Sequence, residues 1–306
     1  MLNFLSLLVI YIEIYAILAL SLNLIAGYTG LLSLCHAAFF AIGAYTTAIG
    51  MTMGGWNFWF SLFVSGILAS MLGLVVGLPT LRLKGDYLAI ATLGFGEVVK
   101  NIIINWDSLT RGPNGINGVP TPEMFGLKFG YDTPFAYVLL YALFVAGTYF
   151  VIRWVVHSRF GRALEAIRED EIAVGAMGIN AVKYKVVAFM MGAFFAGIAG
   201  SLWAVYNQSV APQTFDFMLS VLVLCMVVLG GLGNSLGAIL GALVIVILSE
   251  LPRLTGLTSL IPAQFNQMFF GLLLILVMIF RPQGVLGRKR ISYETEVARI
   301  LERRSS

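Results

Sequence analysis

Long apolar stretches almost free of charge decide what this chain can fold into. Nine of them approach the length of a membrane span: 4–26, 31–53, 58–78, 86–105, 135–156, 184–206, 214–231, 234–250 and 265–281. A helix rising about 1.5 Å per residue needs about 20 apolar residues to cross ~30 Å of hydrocarbon. Hydrocarbon offers no water to backbone N–H and C=O groups, so such a segment closes its hydrogen bonds on itself as a helix. The expected fold class is all-α, a polytopic transmembrane helical bundle of about nine spans, with eight or ten also compatible. The stretches 31–53, 86–105 and 214–250 are rich in Gly or polar residues, and each is open to a break or a re-entrant turn. Membrane depth tolerates such backbone only where protein or a cavity covers it.

Composition agrees. Only 11% of the 306 residues are charged and 59% are hydrophobic, with a mean hydropathy of +0.91. A soluble domain carries about 25% charged residues, so the outer solvent here is the lipid bilayer. The net charge is +4, and Lys and Arg gather at 82–84, 153–168, 183–185 and 281–304. That spacing is the mark of membrane topology, and no nucleic-acid partner is expected. With 157–185 cytoplasmic, two spans back place Arg82 and Lys84 on the same side, and four spans forward return Arg281, Arg288, Lys289 and Arg290 to it. The N-terminus is then outside and the C-terminus cytoplasmic. The first stretch is too long for the core of a signal peptide and reads as a retained span.

The expected organisation is a transmembrane domain over 1–281, with an external loop at 107–133, a charged connector at 158–185 and a cytoplasmic tail at 282–306. The loop holds Arg111, Gly112, Pro113, Asn114, Gly115, Asn117, Gly118 and Pro120, a turn-rich run. Small residues recur every four positions in Ala69, Gly73 and Gly77, in Gly192, Ala196 and Gly200, and in Gly233, Gly237 and Gly241. That spacing lets helix backbones approach closely in lipid, within this chain or against a partner subunit. Two faintly similar Gly/Ser/Leu stretches, 27–34 and 230–237, hint at internal duplication. Cys35 and Cys225 lie in apolar surroundings and read as unpaired core residues.

The connector is too charged to span and sits between strongly apolar helices. Residues 162–177 are good helix formers, and Gly178 suits a C-terminal cap. Ala163, Ala166, Ile167, Val174 and Met177 can share one face, with Arg162, Glu165, Arg168, Glu169 and Asp170 mostly elsewhere. Such a helix either lies at the membrane interface as a plain connector or docks a soluble partner. Ionisable groups inside spans are costly and face a cavity or a partner. Glu97 and Lys100 share a helical face and can neutralise each other. His36, beside Ser33, reads as a packed hydrogen-bonding residue or as a gate. Glu13 is mid-span with no local partner and is expected to face another helix, joined by Asn23 and Tyr28. The break around 26–34, with Gly94 and Gly96 beside Glu97, offers the room and backbone polarity that a small polar solute needs.

The chain lacks the G-x-x-x-x-G-K-[ST] phosphate loop, the H-E-x-x-H zinc motif and the Gly-x-Ser-x-Gly elbow, and its two histidines are His36 and His157. No catalytic residue, metal site or cofactor is expected.

Gly161-Arg162-Ala163, then Ala166 through Glu171, then Gly178-Ile179 resembles the cytoplasmic coupling segment of branched-chain amino-acid ABC permeases. The blocks 26–45, 81–97, Thr110 to Ile116, Val228 to Gly237 and Phe280-Arg-Pro-Gln-Gly match the same family in the same order, most closely its M-type subunit. One departure is Cys35, where the family usually has a small residue such as Gly. The resemblance implies an importer permease of the type II-like kind in a bacterial inner membrane. Its partners would be a second, H-type permease, two cytoplasmic ATPases and an external substrate-binding protein. It also implies that Gly161, Arg162, Ala163, Glu165, Arg168, Glu169, Asp170 and Gly178 couple to the ATPases, while Ser33, His36, Gly94, Gly96 and Glu97 are candidates for the pathway. A permease for urea or another amino acid is the near alternative. An intramembrane enzyme or a channel is the distant one.

Overall fold

A computed structural model describes residues 2–80, 83, 85–124, 127, 128, 134–254, 271, 272, 275 and 284–286. Its long helices are α1 (Leu2–Leu22), α2 (His36–Thr52), α3 (Phe58–Thr80), α4 (Asp86–Asn105), α6 (Pro134–His157), α9 (Ala181–Asn207), α10 (Phe217–Gly230) and α11 (Ser235–Leu254). Shorter ones are α5 (Asp107–Thr110), α7 (Arg159–Glu169) and α8 (Glu171–Ala176). Among the described residues six helical stretches, on α1, α3, α4, α6, α9 and α10, are long and apolar enough to cross a bilayer. α2 has 17 residues, and Ser235–Glu250 forms a shorter apolar helix within α11. The chain is thus an all-α polytopic bundle, as its apolar stretches require. The expected span 265–281 and tail 282–306 lie outside the described residues apart from 271, 272, 275 and 284–286.

Of the three stretches expected to be open to breaks, 31–53 holds one unbroken helix that starts only at His36, and 214–250 is broken. α1 runs through a π-turn, Asn23–Gly27, as far as Thr29, and the next helix starts at His36, so 30–35 is not helical. The stretch 214–250 splits into α10 and α11 at Gly231–Asn234. By contrast, 86–105 is one unbroken helix: its glycines weaken the helix, and packing of Leu88, Thr92, Val99 and Ile103 on the core holds it.

α9 is the central helix, packed on α1, α2 and α3. Small residues make this possible. A Cβ on Gly43 would run into the carbonyl of Gly197, and one on Gly200 into the carbonyl of Phe40. Gly73 has Ala193 Cβ 2.8 Å from where its own Cβ would be. Close backbone approach replaces the hydrophobic drive that lipid cannot supply. The Gly192 and Ala69 series therefore pack within the chain. Gly237 and Gly241 pack α11 onto α10, whereas Gly233 lies in the α10–α11 turn with φ +83°, a left-handed conformation that favours glycine. Cys35 and Cys225 are buried and are not joined in a disulfide.

The described residues of the 107–133 loop include two short antiparallel pairings as well as turns. β1 (Ile116–Asn117) pairs antiparallel with β4 (Ser209–Val210), Ile116 facing Val210, and β2 (Glu123–Met124) pairs with β3 (Leu127–Lys128). β4 directly follows α9, whose other end receives α8. With 27 residues, α9 holds this sheet and the connector ~40 Å apart. Trp56, Trp59 and Trp106 are exposed near the β1–β4 end and Trp154 near the other, matching the aromatic belts of membrane interfaces.

Candidate functional site

The connector folds as two helices with a sharp joint, not as one rod over 162–177. Asp170 is the joint. Its backbone is extended (φ −152°, ψ 102°), its N–H closes α7, and its carboxylate accepts from Ile172 N at 2.9 Å and Ala173 N at 3.0 Å to open α8. A short side chain that bonds the backbone ahead competes with helix continuation and caps instead. Ser158 caps the start of α7, accepting from Phe160 N at 3.1 Å and Gly161 N at 3.4 Å. Asn180 caps α9 through Lys183 N at 3.2 Å. Gly178 ends the connector at φ +81°, as its sequence context predicts.

The inward face also differs from the expected one. Gly161, Leu164, Ile167 and Val174 are buried, while Ala166 and Met177 point out. Ile172 is 76% exposed and Met177 79% exposed, so apolar side chains stand outward on an otherwise charged element. Arg162, Glu169 and Asp170 are exposed, and Ala163 and Glu165 half-buried. Gly161 has no room for a side chain: a Cβ would run into the carbonyl of Val156 at the end of α6. α7 is thus folded hard against the helix it follows. The ring of Phe160 stacks on Tyr184 with centroids 5.3 Å apart, fastening α7 to α9.

Arg168 goes furthest. Its guanidinium donates to the carbonyl oxygen of Gly27, left free where the helix ends, and its alkyl stem lies against Gly30. The same helix end receives the α10–α11 loop. Gly233 N donates to Asn23 Oδ1 at 2.9 Å, and the Tyr28 and Ser235 hydroxyls are 3.2 Å apart. The two similar Gly/Ser/Leu stretches therefore meet, with Arg168 beside both. Asn23 and Tyr28 join this contact and not Glu13, whose buried Oε2 has no hydrogen-bond partner. Residues 285 and 286 return to the same end, Val285 N donating to Leu229 O at 2.8 Å.

Two contacts were invisible in the sequence. Lys185, 5% exposed, pairs with Glu171 at 2.8 Å. Asp216 caps α10 and lines, with Glu97, Leu34, Gly96 and Ser220, a slot of about 10 Å³. Glu97 and Lys100 do not pair with each other among the described residues. A polar strip on α4 carries Glu97, Asn101 and Asn105, each Asn donating at 2.8 Å to the carbonyl four residues earlier. Period-4 spacing was the signal that could have found it. Gly94 is exposed with open space around it, and Gly96 backs onto Cys35. His36 is 1% exposed, with Nε2 2.7 Å from Ser21 Oγ and its ring edge-on to Phe39. Ser33 is buried with its hydroxyl 3.2 Å from Cys35 Sγ. Both are packed in the core and separate from the α4 strip.

Apolar helices fastened by small residues, with one charged connector at an end of the bundle, define a multi-pass helical membrane protein. The family described as branched-chain amino acid transport system, permease component, matches residues 4–278. The chain is 41% identical over 298 residues to the high-affinity branched-chain amino acid transport permease LivM of Escherichia coli K12, covering 90% of this chain and 68% of that one. It is 28% identical to the probable LivM of Methanocaldococcus jannaschii, across 98% of both. To LivH of Escherichia coli K12 it is also 28% identical, over 90% of this chain and 92% of that one. No solved structure matches. The chain belongs to the branched-chain amino acid transport permease family, in its M-type branch.

Proposed function

We propose that this chain is the M-type permease of an ATP-driven importer for branched-chain aliphatic amino acids. It forms the pathway with an H-type permease, is driven by two cytoplasmic ATPases and is fed by an external binding protein. The chain itself is not catalytic. One observation carries the coupling role: α7–α8 presents Ile172 and Met177 outward while Arg168 reaches inward to Gly27. A solvated connector has no need of exposed apolar side chains, whereas a docking surface does. An ATPase closing against α7–α8 would pull, through Arg168, on the break that ends α1.

The reading places 158–185 and the C-terminal tail in the cytoplasm and 107–133 outside, in a bacterial inner membrane. On the same reading the α4 strip at Glu97, with Gly94 above it, faces the second permease and the pathway, because polar side chains avoid lipid. Gly96 backs that wall through its contact with Cys35, while Ser33 and His36 stay packed in the core. Reconstitution with the partner permease, ATPases and binding protein should give ATP-dependent uptake of leucine, isoleucine and valine. Uptake of urea in their place, or uptake without ATP, would overturn the proposal.

A further inference from the structure

Between the break after α1, the α3–α4 turn and the connector lies a cavity of about 270 Å³. Its polar lining is Thr29, Arg168, Glu171 and Lys185, and its apolar walls include Leu31, Leu32, Leu88 and Ile167. The volume is just below the ~300–1,000 Å³ of pockets for drug-sized ligands, which suits a smaller molecule. Its chemistry is two-signed. Beyond its bond to Gly27 the Arg168 guanidinium has further donors that match a carboxylate. The Glu171 carboxylate, held by Lys185 through Oε2, has a second oxygen that matches an ammonium, and the leucine side chains match an aliphatic group. Two cations, Arg168 and Lys185, stand against one carboxylate, so a bare cation is disfavoured and a carboxylate is drawn in; the Glu171 carboxylate is what lets an ammonium come with it. Complementary charges of both signs at one end of an apolar chamber fit a zwitterion.

We propose that this cavity binds a free aliphatic amino acid entering from the connector side of the membrane. The inference rests on the reading of α7–α8 as the ATPase-coupling element. Arg168 and Glu171 lie on either side of the Asp170 joint, so an occupant held by both fixes the angle between α7 and α8. Arg168 also holds Gly27, so the same occupant ties the connector to the broken end of α1. Accumulated amino acid in the cytoplasm then slows the motor that imports it.

The test uses the whole importer, both permeases and both ATPases, in nanodiscs without the binding protein. ATP hydrolysis is measured against L-leucine, L-leucinamide, which lacks the carboxylate, and isocaproate, which lacks the ammonium. L-leucine should lower the rate at least about fivefold, the lower end of ordinary allosteric coupling, and neither analogue should. Leu32→Trp, which fills the chamber, and Glu171→Gln should each remove the inhibition. No response to L-leucine, an equal response to isocaproate, or full inhibition in Leu32→Trp overturns the proposal. If Glu171→Gln does not assemble, Leu32→Trp decides alone. ATP-dependent leucine uptake into proteoliposomes with the binding protein is read in parallel. Uptake without inhibition removes this inference only, and no uptake removes the function beneath it.

Discussion

Arg168 of the connector donates to the backbone carbonyl of Gly27, 141 positions earlier in the chain. The acceptor is a last-turn carbonyl, left without a helical N–H because the helix stops after Thr29. A hydrogen bond to a charged group contributes about 1.5–3 kcal/mol. Arg168→Ala is expected to leave ATP hydrolysis running while uptake falls at least about tenfold. Arg168→Lys should rescue little, since an ammonium lacks the planar fork. Equal loss of hydrolysis and uptake would argue against a coupling role.

Gly161 leaves no space between α7 and the last turn of α6. Gly161→Val forces that corner open at a cost of about 1–3 kcal/mol, and Gly161→Ala less. The expected result is a raised ratio of ATP turnover to substrate moved, with a modest drop in melting temperature in detergent. A reversed charge at exposed Glu169 should raise the same ratio without the drop in melting temperature.

Lys185 is buried and relies on Glu171. Removing Glu171 alone strands a buried ammonium, which costs about 3–5 kcal/mol where the charge is fully desolvated. The partial exposure of Glu171 puts the expected loss at or below the lower end. The pair Lys185→Met with Glu171→Leu should recover most of it, as measured by thermal unfolding of the purified permease. A double variant no more stable than Glu171→Ala would refute this account of the pair.

His36 is sealed between α1 and Phe39 and bonded to Ser21. His36→Ala should reduce stability by about 1–3 kcal/mol and leave the relative uptake of leucine, isoleucine and valine as it was. A changed substrate preference would return His36 to the pathway.

On α4, cysteines at Asn101 and Val98 separate the two environments. In the assembled importer a water-soluble maleimide should label the Asn101 position at least about tenfold faster than Val98. Equal rates would place the polar strip against lipid.

The helices were legible because lipid leaves the backbone one option, and the non-helical segments at 30–35 and 231–234 were legible because Gly27, Gly30 and Ser33 mark the first and Gly231, Gly233 and Asn234 the second. The unbroken run of α4 was not, since tertiary packing of Val99 and Ile103 overrides the helix-weakening glycines at 94 and 96. The connector read as a single rod because Arg168, Glu169 and Glu171 are good helix formers, and Asp170 has the capping habit that splits them. The pairs Asn23–Gly233, Arg168–Gly27 and Lys185–Glu171 lie beyond any periodicity, because they join elements that are neighbours only after the bundle closes. Leu164 lies on the buried face of α7, at a position that helical spacing with Gly161 and Ile167 points to.

The glycine contacts between α2, α3 and α9 carry a mechanical consequence. Where one backbone rests on another with no side chain between them, there is no slack to slide or tilt, and the three helices move as one block. On the proposed coupling role, alternation between open and closed is taken up where the ladder is already interrupted, at the end of α1, at Gly231–Asn234 and at Asp170. Stiffening one of these joints is expected to slow transport while leaving every span in place.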